Sequence, residues 1–151
     1  MLVLAVPALV VVVLIVLLLA GERRPSKISL DVMGDSLVVR ISGKDSLYSM
    51  SRGMTIPLTS LQGVAVASSA SVPRTGLRLP GTGIPGVLRA GSYGVAPRRD
   101  FWLVRRADQL VVLVLQPGEP YRRVVLEVPD PKEEGLRLRP ITGAYAGTFV
   151  P

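Results

Sequence analysis

The chain opens on an unbroken apolar run and then changes to alternation. From Leu2 to Ala20 no side chain is charged or polar. A helix crossing the roughly 30 Å hydrocarbon core of a bilayer needs about 20 such residues. The run therefore predicts a transmembrane helix over residues 1–21, with Pro7 in its first third, where a kink is tolerated. A short basic linker follows at 22–26. Beyond it, apolar and polar residues alternate with a period of two. In "KISLDVM", Ile28, Leu30 and Val32 alternate with Ser29 and Asp31. Gly34-Asp35 then separates this run from "SLVVRIS", which is the pattern of a β-hairpin with a two-residue turn.

The same reading continues along the chain. "GKDSLYSMSRG", with Leu47 and Tyr48, predicts a short third strand. "MTIPLTSLQGVAVAS" reads as a strand end, a turn over Pro57 to Ser60, and a strand from Gly63 to Ala67. "SSASVPRTG" is a serine-rich loop. "GVLRAGSYGV" is strand-like. Phe101–Arg105 and Gln109–Gln116 are strands around a turn at Ala107-Asp108, "PGEP" is a further turn, and "YRRVVLEVPD" is a last strand. Asp130, Pro131 and Glu133 carry a helix start, as N-cap, first position and third position. Gly135 is expected to stop that helix after about one turn. About seven short strands with turns at intervals of roughly 8–12 residues predict a mainly β fold, a sandwich or small barrel. This domain occupies 27–140, with 141–151 as a tail.

The segment "RLPGTGIPGVLRAG" contains Gly81-x-Gly83-x-x-Gly86, a literal match to a dinucleotide-binding fingerprint. That fingerprint works only where the glycines follow a strand and open a helix whose N–H groups face a pyrophosphate. Here Pro85 precedes the third glycine, two more glycines follow within eight residues, and no βαβ unit surrounds them. The segment is read as a structural turn built from Gly81, Gly83, Pro85 and Gly86, with no nucleotide or other cofactor.

The same residues carry a family resemblance. "GLRLPGTGIPGVLRAGSYGV", followed by "DFWLVRR" and "PYRRVVLEVPDP", resembles the bacterial pleckstrin-homology-like (PH-like) domains of small single-pass membrane proteins. The matching residues are Gly81, Gly83, Pro85, Gly86, Phe101, Trp102, Asp130 and Pro131, and "MTIPLTSLQGVAV" looks like the family's earlier strand-turn-strand unit. The resemblance covers about residues 28–134. It implies a strongly bent antiparallel sheet, or partly open barrel, of about seven strands closed by a C-terminal helix. It also implies a hairpin ahead of the strand that ends in the Asp-Pro cap. The chain departs from the family at the helix, where Gly135 and Pro140 interrupt the apolar pattern.

Charge adds a direction. The net charge is +7, and no Lys or Arg precedes the apolar run, whereas Glu22, Arg23, Arg24 and Lys27 follow it. Lys and Arg stay preferentially on the cytoplasmic side. An uncleaved anchor with a cytoplasmic C-terminal domain at the cell membrane is the reading this favours. The alternative is a loosely formed signal segment, with the domain acting as a binding module of the cell envelope on the outer side.

Arginine pairs recur. Arg23, Arg24, Arg98, Arg99, Arg105 and Arg106 are candidate contacts to anionic lipid headgroups, provided the pairs on the folded domain share a face. Nucleic acid is not expected as a partner, because aromatics are 5% of the chain and stacking platforms need them exposed among basic residues.

The chain has no Cys and no His, which removes zinc sites and the nucleophile-base pairs built on those residues. A Ser-Lys arrangement in "SGKDSLYSMS" lies in a polar connection that would not desolvate the lysine. Glu133-Glu134 suits capping better than acid–base work. No catalytic or metal site is assigned, and the expected role is a non-enzymatic binding or scaffold module with an unidentified protein partner.

Overall fold

The computed structural model describes residues 27–73, 83–84 and 88–142. Among these residues nine strands form two sheets, and two short α-helices lie against them. The first sheet is a meander of β1 (Ile28–Met33), β2 (Ser36–Ile41) and β3 (Gly53–Pro57), all antiparallel. Met33 pairs with Ser36 across the expected two-residue turn. Gly34 holds φ +61 at the first central position of that turn, where only a residue without Cβ is comfortable. The alternation falls as the pattern required: Ile28, Leu30, Leu37, Val39 and Ile41 are buried, whereas Ser29 and Arg40 face solvent.

A 3₁₀ turn at Leu58–Ser60 carries the chain from β3 into the second sheet. That sheet contains β4 (Leu61–Ser68), β5 (Gly83–Ile84), β6 (Leu88–Tyr93), β7 (Asp100–Val104), β8 (Gln109–Leu115) and β9 (Arg123–Leu126), in the spatial order β4-β8-β9-β7-β6-β5. Here the expected β7–β8 hairpin is corrected. The last strand, β9, lies between them, parallel to β7 and antiparallel to β8, so the sheet is mixed rather than purely antiparallel. Composition explains the placement. "DFWLV", "QLVVLVL" and "RVVL" are apolar on both parities, the signature of strands covered on both faces.

Two apolar clusters result. Phe101, Leu103, Val111, Leu113, Val124 and Leu126 face the first sheet and fuse with its inner side chains into the main core. On the opposite face, Trp102, Val104, Leu110, Val112 and Val125 form a second cluster with Val72. Phe101 and Trp102 thus point to different sides of β7, and both are 2% exposed.

The predicted third strand around Leu47 and Tyr48 is instead a helix, α1 (Lys44–Ser49), packed on β6 and β7. The second helix, α2 (Pro131–Leu138), starts as expected: Glu133 N donates to Asp130 Oδ1 at 2.9 Å, and Pro131 occupies the first turn. It does not stop at Gly135. That glycine lies inside the helix, buried against β4, where a Cβ would come to 2.4 Å from Val66 Cγ2. The position demands the smallest residue because helix and strand approach closely.

Arg137 Nη2 reaches across to the Leu30 carbonyl of β1. Therefore α2 packs on β4 and is tied to β1, each an edge strand of its sheet.

Among the described residues no helix is long and apolar enough to cross a membrane. The predicted span, its linker and the C-terminal tail beyond Thr142 lie outside those residues.

Candidate functional site

The buried charged residues Asp45, Asp100 and Arg123 meet the chain at the two ends of β7. Asp100, at the start of the strand, is fully buried. Arg123 Nη2 donates to its Oδ2 at 2.5 Å, and Arg122 reaches both carboxylate oxygens, at 3.3 and 3.2 Å. Arg122 precedes β9 rather than alternating within it, so the two adjacent arginines converge on one acid. Arg123 also donates to the Pro73 carbonyl at 3.3 Å, tying the loop that carries Val72 to the sheet.

At the other end of the strand, Arg105 pairs with Asp45 of α1, with side-chain exposures of 8% and 2%. The Lys27 amide donates to the other Asp45 oxygen at 2.9 Å. The turn after β7 is organised by Glu127, which follows β9. Its Oε2 accepts the backbone N–H groups of Arg105, Arg106 and Ala107 at 2.6, 3.1 and 3.2 Å. Consecutive amides converging on one carboxylate are an anion nest filled from within the chain. This nest bends the backbone over β9 and delivers it to β8.

The predicted lipid-contact arginines do not form one patch. Arg98 and Arg99 precede β7, and Arg105 and Arg106 follow it. The strand between them puts roughly 20 Å between the two pairs at about 3.3 Å per residue. Arg98 and Arg106 are exposed, and Arg99 is half-buried. Arg105 directs its guanidinium to the buried Asp45 carboxylate. Arg23 and Arg24 lie outside the described residues.

Of the glycine turn, Gly81, Pro85 and Gly86 also lie outside them. Gly83 stands in β5 and pairs antiparallel with Arg89, while Ile84 pairs with Leu88.

The remaining candidates resolve into structural roles. In "SGKDSLYSMS", Ser49 Oγ donates to the Asp45 carbonyl at 2.7 Å, and Lys44 is solvent-exposed. Glu134 pairs with Arg137 at 2.5 Å. A cavity of about 240 Å³ beside Ser69, Leu88, Arg89, Val104 and residues 105–107 is smaller than the roughly 300 Å³ at which ligand pockets begin. The Arg89 guanidinium at its edge lies 5.5 Å from the Trp102 ring centre, a cation–π contact. Among the described residues no acidic cluster could hold a metal ion.

Sequence reading missed the Asp45–Arg105 and Asp100–Arg123 pairs. The available signal was an acid inside or beside an otherwise apolar segment, as in "DFWLV", where burial demands a partner.

These residues define a two-sheet β domain with a helix tied to an edge strand of each sheet and its described buried acids tied to structural partners. No family model, curated protein or solved structure matches the chain.

Proposed function

We propose that this chain is a membrane-anchored PH-like domain protein, non-enzymatic, that acts as a binding or scaffold module at the inner face of the cell membrane. The observation that carries this reading is a juxtaposition. A 19-residue apolar run, Leu2 to Ala20, is followed within seven residues by a β domain whose first strand starts at Ile28. The two-sheet architecture with a capped C-terminal helix supports the PH-like part, although β9 lies where the resemblance implied a hairpin. The engagement of Asp45, Asp100 and Glu127 with arginines and backbone amides supports a binding role over a catalytic one. The positive-inside distribution supports a cytoplasmic domain.

The test is a pair of reporter fusions after Pro151 in intact cells, combined with alkaline carbonate extraction of membranes. The chain is expected to stay with the membrane and to activate the reporter that works only in the cytoplasm. Activity of the reporter that works only outside would overturn the inner-face assignment and favour an envelope module. Release by carbonate would overturn the anchor.

A further inference from the structure

Among the described residues, the two most exposed large apolar side chains are close neighbours. Leu47, on α1, is 76% exposed, and Met50, its C-cap, is 73% exposed. Met50 adopts φ +54, a left-handed conformation that methionine rarely takes. Both residues line a shallow surface groove of about 330 Å³, together with Gly43, Ser46, Ser51 and Arg52.

The charge around them has one sign. Lys27, Lys44 and Arg52 are exposed, and the single acid between residues 42 and 53, Asp45, is turned inward to Arg105. An apolar tip inside a basic rim is the chemistry of a surface that seats on anionic lipid: the apolar groups enter the headgroup boundary, and the cations meet the phosphates.

Position points to the same partner. The chain enters the domain against α1. The Lys27 amide donates to Asp45, and Ser42 returns two hydrogen bonds to the Lys27 carbonyl, both at 3.1 Å. Between Ala20 and Lys27 lie only positions 21–26, and the seven residue steps from one to the other reach at most about 25 Å when extended. An anchor ending at Ala20 therefore holds α1 within that distance of the bilayer surface. Two other apolar residues are about as exposed, Val95 at 67% and Leu136 at 68%. Val95 lies beyond the far end of the β6–β7 ladder, away from the end where Arg105 meets α1.

We propose that the α1 edge is the face the domain sets on an anionic bilayer, with Leu47 and Met50 entering the headgroup layer and Lys27, Lys44 and Arg52 lying over the phosphates. This rests on the reading of Leu2–Ala20 as a membrane anchor and replaces the Arg98–Arg106 set as the site of lipid contact. The buried Asp45–Arg105 pair holds α1 fixed against the sheet, so the face is presented ready-made.

The full chain has no cysteine, so single labels can be placed without background. Leu47→Cys, Met50→Cys, Val95→Cys and Leu136→Cys are labelled with an environment-sensitive fluorophore, and the full-length protein is reconstituted into phosphatidylglycerol-containing vesicles. Labels at 47 and 50 are expected to shift to the blue, to be quenched by spin-labelled lipid, and to be several-fold less accessible to aqueous iodide than those at 95 and 136. The same labels in a Lys44→Gln/Arg52→Gln background, or in purely phosphatidylcholine vesicles, are expected to return toward the aqueous signal.

Labels at 47 and 50 as accessible to iodide as that at 95 would overturn the proposal. So would labels shielded from both iodide and lipid quencher, which would place protein on that face. Carbonate extraction of the same vesicles separates the two layers of the argument. Release of the chain removes the anchor reading itself, whereas retention with water-exposed labels removes only the docking face.

Discussion

Replacing Gly135 by Ala sets two effects of opposite sign against each other. In the interior of α2 the substitution removes the conformational cost of glycine, which favours folding by about 1 kcal/mol. The new Cβ, however, would lie 2.4 Å from Val66 Cγ2, whereas carbon atoms rest at about 3.5–4.0 Å. The gap must open by about 1 Å. Valine has little χ1 freedom with which to yield, so the helix shifts or the rotamer distorts, an overpacking cost of about 1–3 kcal/mol. The balance is a net loss of about 1 kcal/mol, within a range of about 0 to 2. In a Val66→Ala background the obstructing methyl is absent and only the propensity gain remains, so Gly135→Ala should then stabilise by about 1 kcal/mol. The prediction is thus a reversal of sign between two backgrounds, a coupling of about 1–3 kcal/mol. Trp102 is the sole tryptophan and is 2% exposed, so thermal unfolding of the detergent-solubilised chain can be followed by its fluorescence. For a domain of this size, 1 kcal/mol corresponds to roughly 4 °C in Tm. An equal effect of Gly135→Ala in both backgrounds would refute the close-approach explanation of this glycine.

Two further outcomes follow from the buried charges. Glu127→Ala should destabilise by about 2–3 kcal/mol, since an ionised acceptor of three amides is lost, and it should speed hydrogen exchange at residues 105–107 before other sites; unchanged exchange there would show that the carboxylate does not organise the turn. Arg123→Met should cost about 3–5 kcal/mol by leaving Asp100 buried without its closest partner, and the double change Asp100→Leu/Arg123→Met should cost clearly less than the sum of the single changes in denaturant titrations.

What the sequence made legible was local. The β1–β2 hairpin is specified by alternation and by Gly34-Asp35, and the start of α2 by Asp130-Pro131, because the partners lie within a few residues. The helix α1 was not legible: "KDSLYS" lacks a helical apolar stripe, and its fixing contact, Asp45 to Arg105, spans 60 residues. Gly135 was misread because propensity alone marks it as a stop, whereas packing against Val66 requires it within the helix. The β7–β8 hairpin was expected because successive strands usually pair. The counter-signal lay in side chains rather than in turn residues: the apolar strands ask for neighbours on both sides, and Glu127 holds the connection that passes over β9. A doublet of arginines does not reveal burial by itself: Arg105, Arg122 and Arg123 pair with Asp45 and Asp100, acids at least 22 residues away in the chain.

The placement of β9 has a consequence for synthesis. Synthesis runs from the N-terminal side, so β1 to β8 are made before β9. Strands β1 to β8 then emerge with a slot in the larger sheet still open, since Arg123–Leu126 must slide between β7 and β8 and bond to both. Until residue 127 is added, those two strands keep facing edges without partners, and the Arg105–Ala107 amides lack their carboxylate. The larger sheet can therefore be completed only after Leu126 has been translated. A nascent chain halted before that point, or one truncated ahead of Arg123, would hold two apolar strand edges open, a template for mispairing with neighbouring chains.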